Sequence, residues 1–120
     1  MPEELKIEAI DGIVQALLSG AFNLDNTKMF FLQTLQKARE EKANKILLDV
    51  RNITTDISVL ARFELGNFMA KQDTTGIRIA ILASEKTAWP DRFLETVSRN
   101  RGVNAKVTTE YKEALKWLSE

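Results

Sequence analysis

The first twenty residues contain two short runs joined by a turn signal. Residues 5–10 alternate between apolar and mostly charged side chains, and a period of two predicts a half-buried strand. Asp11-Gly12 follows, a dipeptide typical of two-residue hairpin turns. The second run, residues 13–18, is therefore predicted to pair antiparallel with the first.

Beyond residue 24, helical spacing alternates with short apolar runs. Apolar runs bounded by polar residues predict strands covered on both faces, at 45–50, 77–83 and 103–107. Apolar residues three or four positions apart predict four helices. We expect the first helix to begin near Asp25, as its N-cap, and the second to begin near Asp56. The third helix should have Pro90 in its first turn, and the fourth should begin near Thr109.

The element order is therefore β-β-α-β-α-β-α-β-α. Strands that alternate with helices predict right-handed crossovers and a mainly parallel sheet, which the opening hairpin makes mixed. We expect one α/β domain over residues 1–120, with about five strands and four helices.

Several core positions follow from the helical spacing. The first helix should bury Phe31, Leu35 and Ala38, with Leu24 and Met29 in contact as a hydrophobic staple. Met29 and Phe30 lie outside that stripe. Either they lie at the loosely packed margin of the core, or they cover a strand edge or contact a partner. If they contact a second copy of the chain, we expect a weak homodimer. One face of the second helix should carry Ile57, Ala61, Leu65 and Phe68. In the third helix we expect Trp89 as an anchor with Phe93, Leu94 and Val97 in the core, and in the last helix Tyr111, Leu115 and Leu118.

Composition excludes several kinds of chemistry. Seventeen basic and seventeen acidic residues balance, so net charge does not favour nucleic acid. The chain has no cysteine and no histidine, which removes disulfides, thiolate metal sites and histidine-dependent triads. No apolar run approaches the ~20 residues of a membrane span, and the start lacks a signal-peptide pattern. We therefore expect a cytoplasmic chain without metal, cofactor or catalytic residues.

The segments KILLDVRNI, RFELGNFMA, RIAILAS, FLETVSRNRGV and YKEALKWL, in this order, resemble small SpoIIAA-like domains. These share the STAS fold of sulfate-transporter tails and anti-sigma-factor antagonists, and the resemblance covers nearly the whole chain. It implies a non-enzymatic regulatory or protein-interaction module. The family is sometimes grouped with CRAL-TRIO lipid-binding domains, which implies the alternative of a small anionic or lipid-like ligand.

The resemblance places a phosphoacceptor serine at the start of the second helix. Here Ile57 occupies the acceptor position and Val59 the glycine position, with Ser58 between them. This departure argues against a phosphoswitch, although Ser58 stays a candidate acceptor because helix N-termini favour phosphate. The alternative is that Asp56 caps the helix and Ser58 is an ordinary first-turn residue.

Further candidates lie at the end of the third strand and in the second helix. Asp49 and Arg51 are expected at the carboxyl edge of the sheet, where ligands bind in open parallel sheets, or else Asp49 accepts loop amides. Gly66 inside a helix costs ~1 kcal/mol relative to alanine, which indicates close approach of a backbone or ligand. Arg62 and Glu64 lie near it, and Glu64 borders the apolar stripe and needs a partner.

The third helix ends in polar residues. Glu95 and Arg99 are spaced for an ion pair, and Gly102 suits the position after a helix end. Asn100 and Arg101 fall on the inward stripe. We expect Arg101 to pair with Glu64, or else to bind an anionic ligand.

Overall fold

The computed structural model describes residues 2–120, with the side chains of all of these except 87–91 and 93. Its order is the predicted one. The elements are β1 Glu4–Ile10, β2 Ile13–Gly20, α1 Leu24–Glu40, β3 Lys45–Ile53, α2 Val59–Lys71, β4 Arg78–Leu82, α3 Glu85–Asn100, β5 Asn104–Thr108 and α4 Tyr111–Ser119.

The five strands form one sheet in chain order, β1-β2-β3-β4-β5. β1 is antiparallel to β2, and β2 to β5 are parallel. Each crossover between β2 and β5 steps in the same direction, so right-handed connections place α1, α2 and α3 on the same face of the sheet. The predicted mixed, mainly parallel α/β fold is confirmed.

Each face of the sheet has its own apolar core. The larger core lies under α1, α2 and α3 and includes Val14, Ile46 and Ile79. The smaller core lies under α4, where Leu47, Ala80 and Leu82 meet Ala114 and Leu118. Adjacent residues of β3 and β4 thus point into different cores, which is why these strands are apolar without interruption.

Arg78 is the polar residue at the start of the otherwise apolar β4, and it anchors α4. Its Nη1 donates to the carbonyl of Trp117 at 2.6 Å, and its guanidinium lies 5.3 Å from the Trp117 ring centroid. A cation at the last carbonyls of a helix also complements the helix dipole.

The last helix is rotated relative to the sequence prediction. Ala114 and Leu118 are its buried residues, whereas Leu115 is half-buried and Tyr111 is exposed. The predicted buried face of Tyr111, Leu115 and Leu118 was therefore wrong, because the buried face of the helix is centred on Ala114 and Leu118. Small Ala114 permits close approach of α4 to the sheet, which a helical period alone does not reveal.

Two helix starts also differ from the prediction. Asn23, not Asp25, is the N-cap of α1, since its side chain accepts from the amide of Asn26. Met29 is 58% exposed, and the predicted staple is absent because the cap lies two residues earlier. α3 begins at Glu85, so Pro90 does not lie in its first turn. The expectations for Trp89 and Phe93 fall outside the described side chains.

Gly102 ends α3 as predicted, with φ of +94°. The amide of Val103 donates to the carbonyl of Ser98, and that of Gly102 to the carbonyl of Arg99. These are the two hydrogen bonds of a Schellman motif, which needs a left-handed residue at this position.

Gly66 of α2 lies where α3 crosses it. A Cβ at this position would meet Val97 Cγ1 at 2.7 Å and Leu94 Cδ1 at 3.4 Å. The predicted close approach is present, but it comes from a side chain of α3 rather than from a backbone or a ligand. Gly66 therefore sets the distance between α2 and α3.

We expect Gly66→Ala to lower the free energy of unfolding by about 1 kcal/mol, because overpacking costs ~1–3 kcal/mol and alanine returns ~1 kcal/mol of helix propensity. Denaturant melts measure the change. The control is the same substitution in a Val97→Ala background, where the space for the methyl group exists and the cost should shrink. An equal cost in both backgrounds would contradict this account of Gly66.

Candidate functional site

The start of α2 is set by the length of the strand before it. β3 continues to Ile53, three residues past the predicted end. The loop that follows is tied to the end of β2: the amide of Thr54 donates to the carbonyl of Gly20, and Thr55 Oγ1 accepts from the amide of Phe22. The helix consequently begins later than the sequence suggested.

Ser58 is the N-cap of α2. Its backbone is extended, with φ of −66° and ψ of 157°, and its Oγ accepts from the amide of Ala61 at 3.0 Å. Asp56 lies two residues before the cap, and the prediction that it caps the helix was wrong. Both residue types make good caps, so local preference could not decide between them.

Three apolar side chains are exposed on the first two turns of α2. Val59, Leu60 and Phe63 are 63%, 66% and 37% exposed, and we call them the α2 patch. Residues three and four positions apart share a helix surface, so the three form one continuous apolar area. Sequence analysis missed all three residues of the patch, although their position off the buried stripe of Leu65 and Met69 could have identified them.

Arg101 borders the α2 patch. Its guanidinium carbon lies 5.3 Å from the Phe63 ring centroid, and Nη1 donates to the carbonyl of Val97 at 3.3 Å. Asn100 and Arg101 are both exposed, so their predicted inward position was wrong. The helix ends at Asn100 and the chain turns at Gly102, which leaves both polar side chains outside the core.

The predicted ion pairs of α3 are not formed within the described part of the chain. Glu64 is exposed and does not pair with Arg101. Glu95 does not pair with Arg99; its Oε1 accepts from the amide of Val107 at 3.1 Å. This carboxylate thereby satisfies a backbone donor of the edge strand β5, a tertiary contact that helical spacing does not predict.

Asp49 and Arg51 pair with each other. Arg51 Nε donates to Asp49 Oδ1 at 3.0 Å and Nη2 to Oδ2 at 2.8 Å, while the amide of Arg51 also donates to Oδ1. Donation to the Asp49 carboxylate raises the pKa of the Arg51 guanidinium. Both carboxylate oxygens are engaged, so the structure does not present Asp49 as an open ligand for a cation or a hydroxyl.

This pair is also on the wrong face for the predicted site. Asp49 and Arg51 share the face of β3 that carries Leu47, under α4, whereas the α2 patch belongs to the opposite face. Because β3 continues to Ile53, neither residue ends the strand. The eight candidate residues therefore do not form a single site.

Arg62 is the candidate that lies inside the protein. It is buried, its Nη1 donates to the carbonyl of Ile57, and it lines a cavity of about 60 Å³. The cavity is lined by residues of α1, α2 and α3 and of β2, β3 and β4, and its wall is almost wholly apolar. This position, near the carboxyl ends of parallel strands, is where ligands bind in open α/β sheets.

Glu3 is the second charged group of the cavity, and sequence analysis missed it. It is 6% exposed; Oε2 accepts from the Thr27 hydroxyl at 2.6 Å, and Oε1 has no partner. Burial raises the pKa of Glu3, while the hydrogen bond from Thr27 acts to lower it. Nothing in its local sequence signals burial, because it precedes the first strand among other charged residues.

The cavity is small. Cavities of about 150 Å³ hold benzene. At about 60 Å³, this one is smaller than such a cavity and has no room for an acyl chain.

Comparison with solved structures identifies a match over the whole chain. The crystal structure of an anti-sigma factor antagonist from Mycobacterium paratuberculosis superposes with a TM-score of 0.68 over 99% of this chain and 96% of that one, at 13% sequence identity. No protein-family model matches the sequence, and comparison with curated proteins gives no match. The chain thus has the fold of anti-sigma factor antagonists, which the sequence resemblance predicted.

No helix in the described part of the chain is long and apolar enough to cross a bilayer.

We expect Ser58→Ala to lower the free energy of unfolding by about 1 kcal/mol, the usual cost of losing an N-cap oxygen. Asp56→Ala is the matched control and should have little effect, while Ser58→Asp should retain the cap. Thermal melts of the three variants measure the difference. A larger loss for Asp56→Ala than for Ser58→Ala would contradict the assignment.

The raised pKa of Glu3 gives a second prediction. The folded chain holds this proton more tightly than the unfolded chain, so ionisation of Glu3 costs stability as pH rises through its folded-state pKa. Glu3→Gln stays neutral and keeps an acceptor for Thr27. We therefore expect it to melt higher than the wild type at neutral pH, with the difference vanishing well below pH ~4.

Melting curves over a pH series test this prediction. Glu4→Gln removes the same charge at the exposed neighbouring position and is the control. If Glu3→Gln melts lower at neutral pH, the ionised carboxylate stabilises the fold and the argument from burial fails.

Proposed function

We propose that the chain is a non-enzymatic, STAS-like protein-interaction module that binds another protein through the α2 patch. The observation that carries the proposal is the exposure of Val59, Leu60 and Phe63 on consecutive turns of one helix. Exposed apolar residues that cluster, rather than occur singly, mark interaction surfaces.

The surroundings of the patch support a protein partner. Protein interfaces combine an apolar centre with a polar rim, and aromatic residues and arginine carry much of the binding energy. Phe63 with Arg101 stacked on it supplies that combination, and the charged side chains of Asp56 and Glu64 are exposed on the same helix or just before it. The partner should present an apolar surface with a carboxylate positioned for Arg101.

The fold supports the same proposal. The similar structure is that of a protein named for its antagonism of another protein, an anti-sigma factor. The absence of histidine and cysteine from the sequence removes the commonest general base and the thiol nucleophile, which favours binding over catalysis. A cytoplasmic site of action fits this proposal.

Ser58 offers a way to regulate the patch. It is exposed at the N-terminus of α2, directly before Val59. A phosphate there would be tolerated by the helix, because free amides and the helix dipole favour negative charge, and it would add charge to the edge of an apolar docking surface. Phosphorylation of Ser58 would thus weaken docking without unfolding the helix.

The alternative function is binding of a small anionic or lipid-like ligand. The cavity beside Arg62 and Glu3 is too small for a lipid chain, so the protein partner is the better-supported reading. Native mass spectrometry of the protein purified from its source distinguishes a bare chain, a co-purified ligand and a phosphorylated chain.

We expect Leu60→Asp to abolish binding of the partner while leaving the melting temperature unchanged, because it places a charge at the centre of an exposed patch. Met29→Asp is the matched control, since Met29 is similarly exposed on a different helix, α1. A photo-crosslinker at position 60 identifies the partner, and titration of the purified partner against each variant measures affinity. Equal loss of affinity in both variants, or in neither, would contradict the assignment of the patch.

A further inference from the structure

β1 forms an open edge of the sheet, because it pairs with β2 alone. The hairpin turn has positive φ at both Asp11 (52°) and Gly12 (79°), so it is a two-residue turn and the flanking pair Ile10–Ile13 is hydrogen-bonded. Hydrogen-bonded pairs recur at every second residue of an antiparallel ladder. The odd-numbered residues Leu5, Ile7 and Ala9 therefore point their backbone amides and carbonyls away from β2.

The two edges of the sheet are protected differently. At the β5 edge, the carboxylate of Glu95 accepts from the amide of Val107. At the β1 edge, no hydrogen bond from another part of the described chain reaches the amides of Leu5, Ile7 or Ala9. An unpaired edge of this length is a template for another strand.

The charges of β1 are self-complementary in one register. Lys6 and Glu8 are exposed and share a face of the strand. When two copies of β1 lie antiparallel with Ile7 opposite Ile7, Lys6 of each copy lies opposite Glu8 of the other. Leu5 and Ala9 then lie opposite each other and, with the Ile7 pair, exchange backbone hydrogen bonds through groups that are unpaired in the single chain.

The neighbouring registers are unfavourable. Centring the pair on Lys6 places Lys6 opposite Lys6 and Glu4 opposite Glu8. Centring it on Glu8 places Glu8 opposite Glu8. Like charges directly opposite each other destabilise a strand pair. A register centred on Leu5 restores an opposite-charge pair but shifts the overlap beyond the start of β1.

The side of β1 that faces α1 also has room for a second chain. Ile7 is half-buried and borders a shallow groove along α1, which Gln33, Gln36, Lys37 and Glu40 line. Pairing would cover the apolar side chains of Leu5 and Ile7 at this groove. The groove carries one positive and one negative side chain, so two copies do not repel each other there.

We propose that two copies of this chain associate through β1, antiparallel and centred on Ile7, to form a continuous ten-stranded sheet. The partner at this edge is a second copy of the chain. The proposal is independent of the α2 patch, which lies on another surface.

Charge exchange tests the register. We expect the wild type to show concentration-dependent dimerisation in sedimentation equilibrium, and Lys6→Glu or Glu8→Lys alone to weaken it by about tenfold or more, because each creates two like-charge pairs. The double variant Lys6→Glu/Glu8→Lys reverses both partners and should restore affinity to within about threefold of the wild type. It also keeps the net charge of the wild type.

Two further variants separate this surface from other causes. Ala9→Pro removes an outward amide without touching the β1–β2 ladder and should abolish dimerisation, and its melting curve shows whether the chain remains folded. Leu60→Asp should leave dimerisation unchanged. A wild type that is monomeric at all concentrations, or single variants that dimerise as the wild type does, would overturn the proposal. So would a double variant no better than the single ones.

Discussion

The structure depends on the burial of β3 and β4 on both faces. Leu47 and Leu48, adjacent in β3, enter different cores, as do Ala80 and Ile81 in β4. Since β2 to β5 follow in chain order, right-handed crossovers bring three helices to one face, and α4 must cover the other face by itself. A nine-residue helix packs against β3, β4 and β5 and reaches β2 only through Ile13 and Gln15, so β1 remains uncovered on that face. The exposed charges of β1 follow directly from this shortage of helices.

The same constraint determines where polar groups can be placed. Arg78 is accepted at the start of a buried strand because a carbonyl at the end of α4 lies within reach. Glu95 is accepted beside the core because β5 has an outward amide to donate. Glu3 and Ser98 are exceptions, because Glu3 Oε1 and Ser98 Oγ are buried without a hydrogen-bond partner in the described part of the chain. Unpaired buried groups of this kind cost stability, and Glu3 lies in the wall of the cavity.

Two surfaces with different physical character result. The α2 patch is apolar and is bordered by an arginine, which suits a partner of complementary shape. The β1 edge offers backbone hydrogen bonds and paired charges, which suit a second copy in one register. Because the two surfaces lie on different elements, a dimer formed through β1 would present two α2 patches, and two patches on one particle increase avidity for a partner that is itself multivalent.

The sequence by itself determined the number, order and type of the elements, because apolar periodicity reflects burial on one face or both. It also determined the hairpin at Asp11-Gly12 and the helix end at Gly102, where the chain needs left-handed backbone that glycine adopts without strain. Only the tertiary structure decided which of two good caps begins α2, because the length of β3 sets that position. It also decided the partners of Glu95, Arg101 and Gly66, which are Val107, Phe63 and Val97. Each of these contacts joins residues from different elements, and the packing of the helices against the sheet, which brings such residues together, leaves no trace in local spacing.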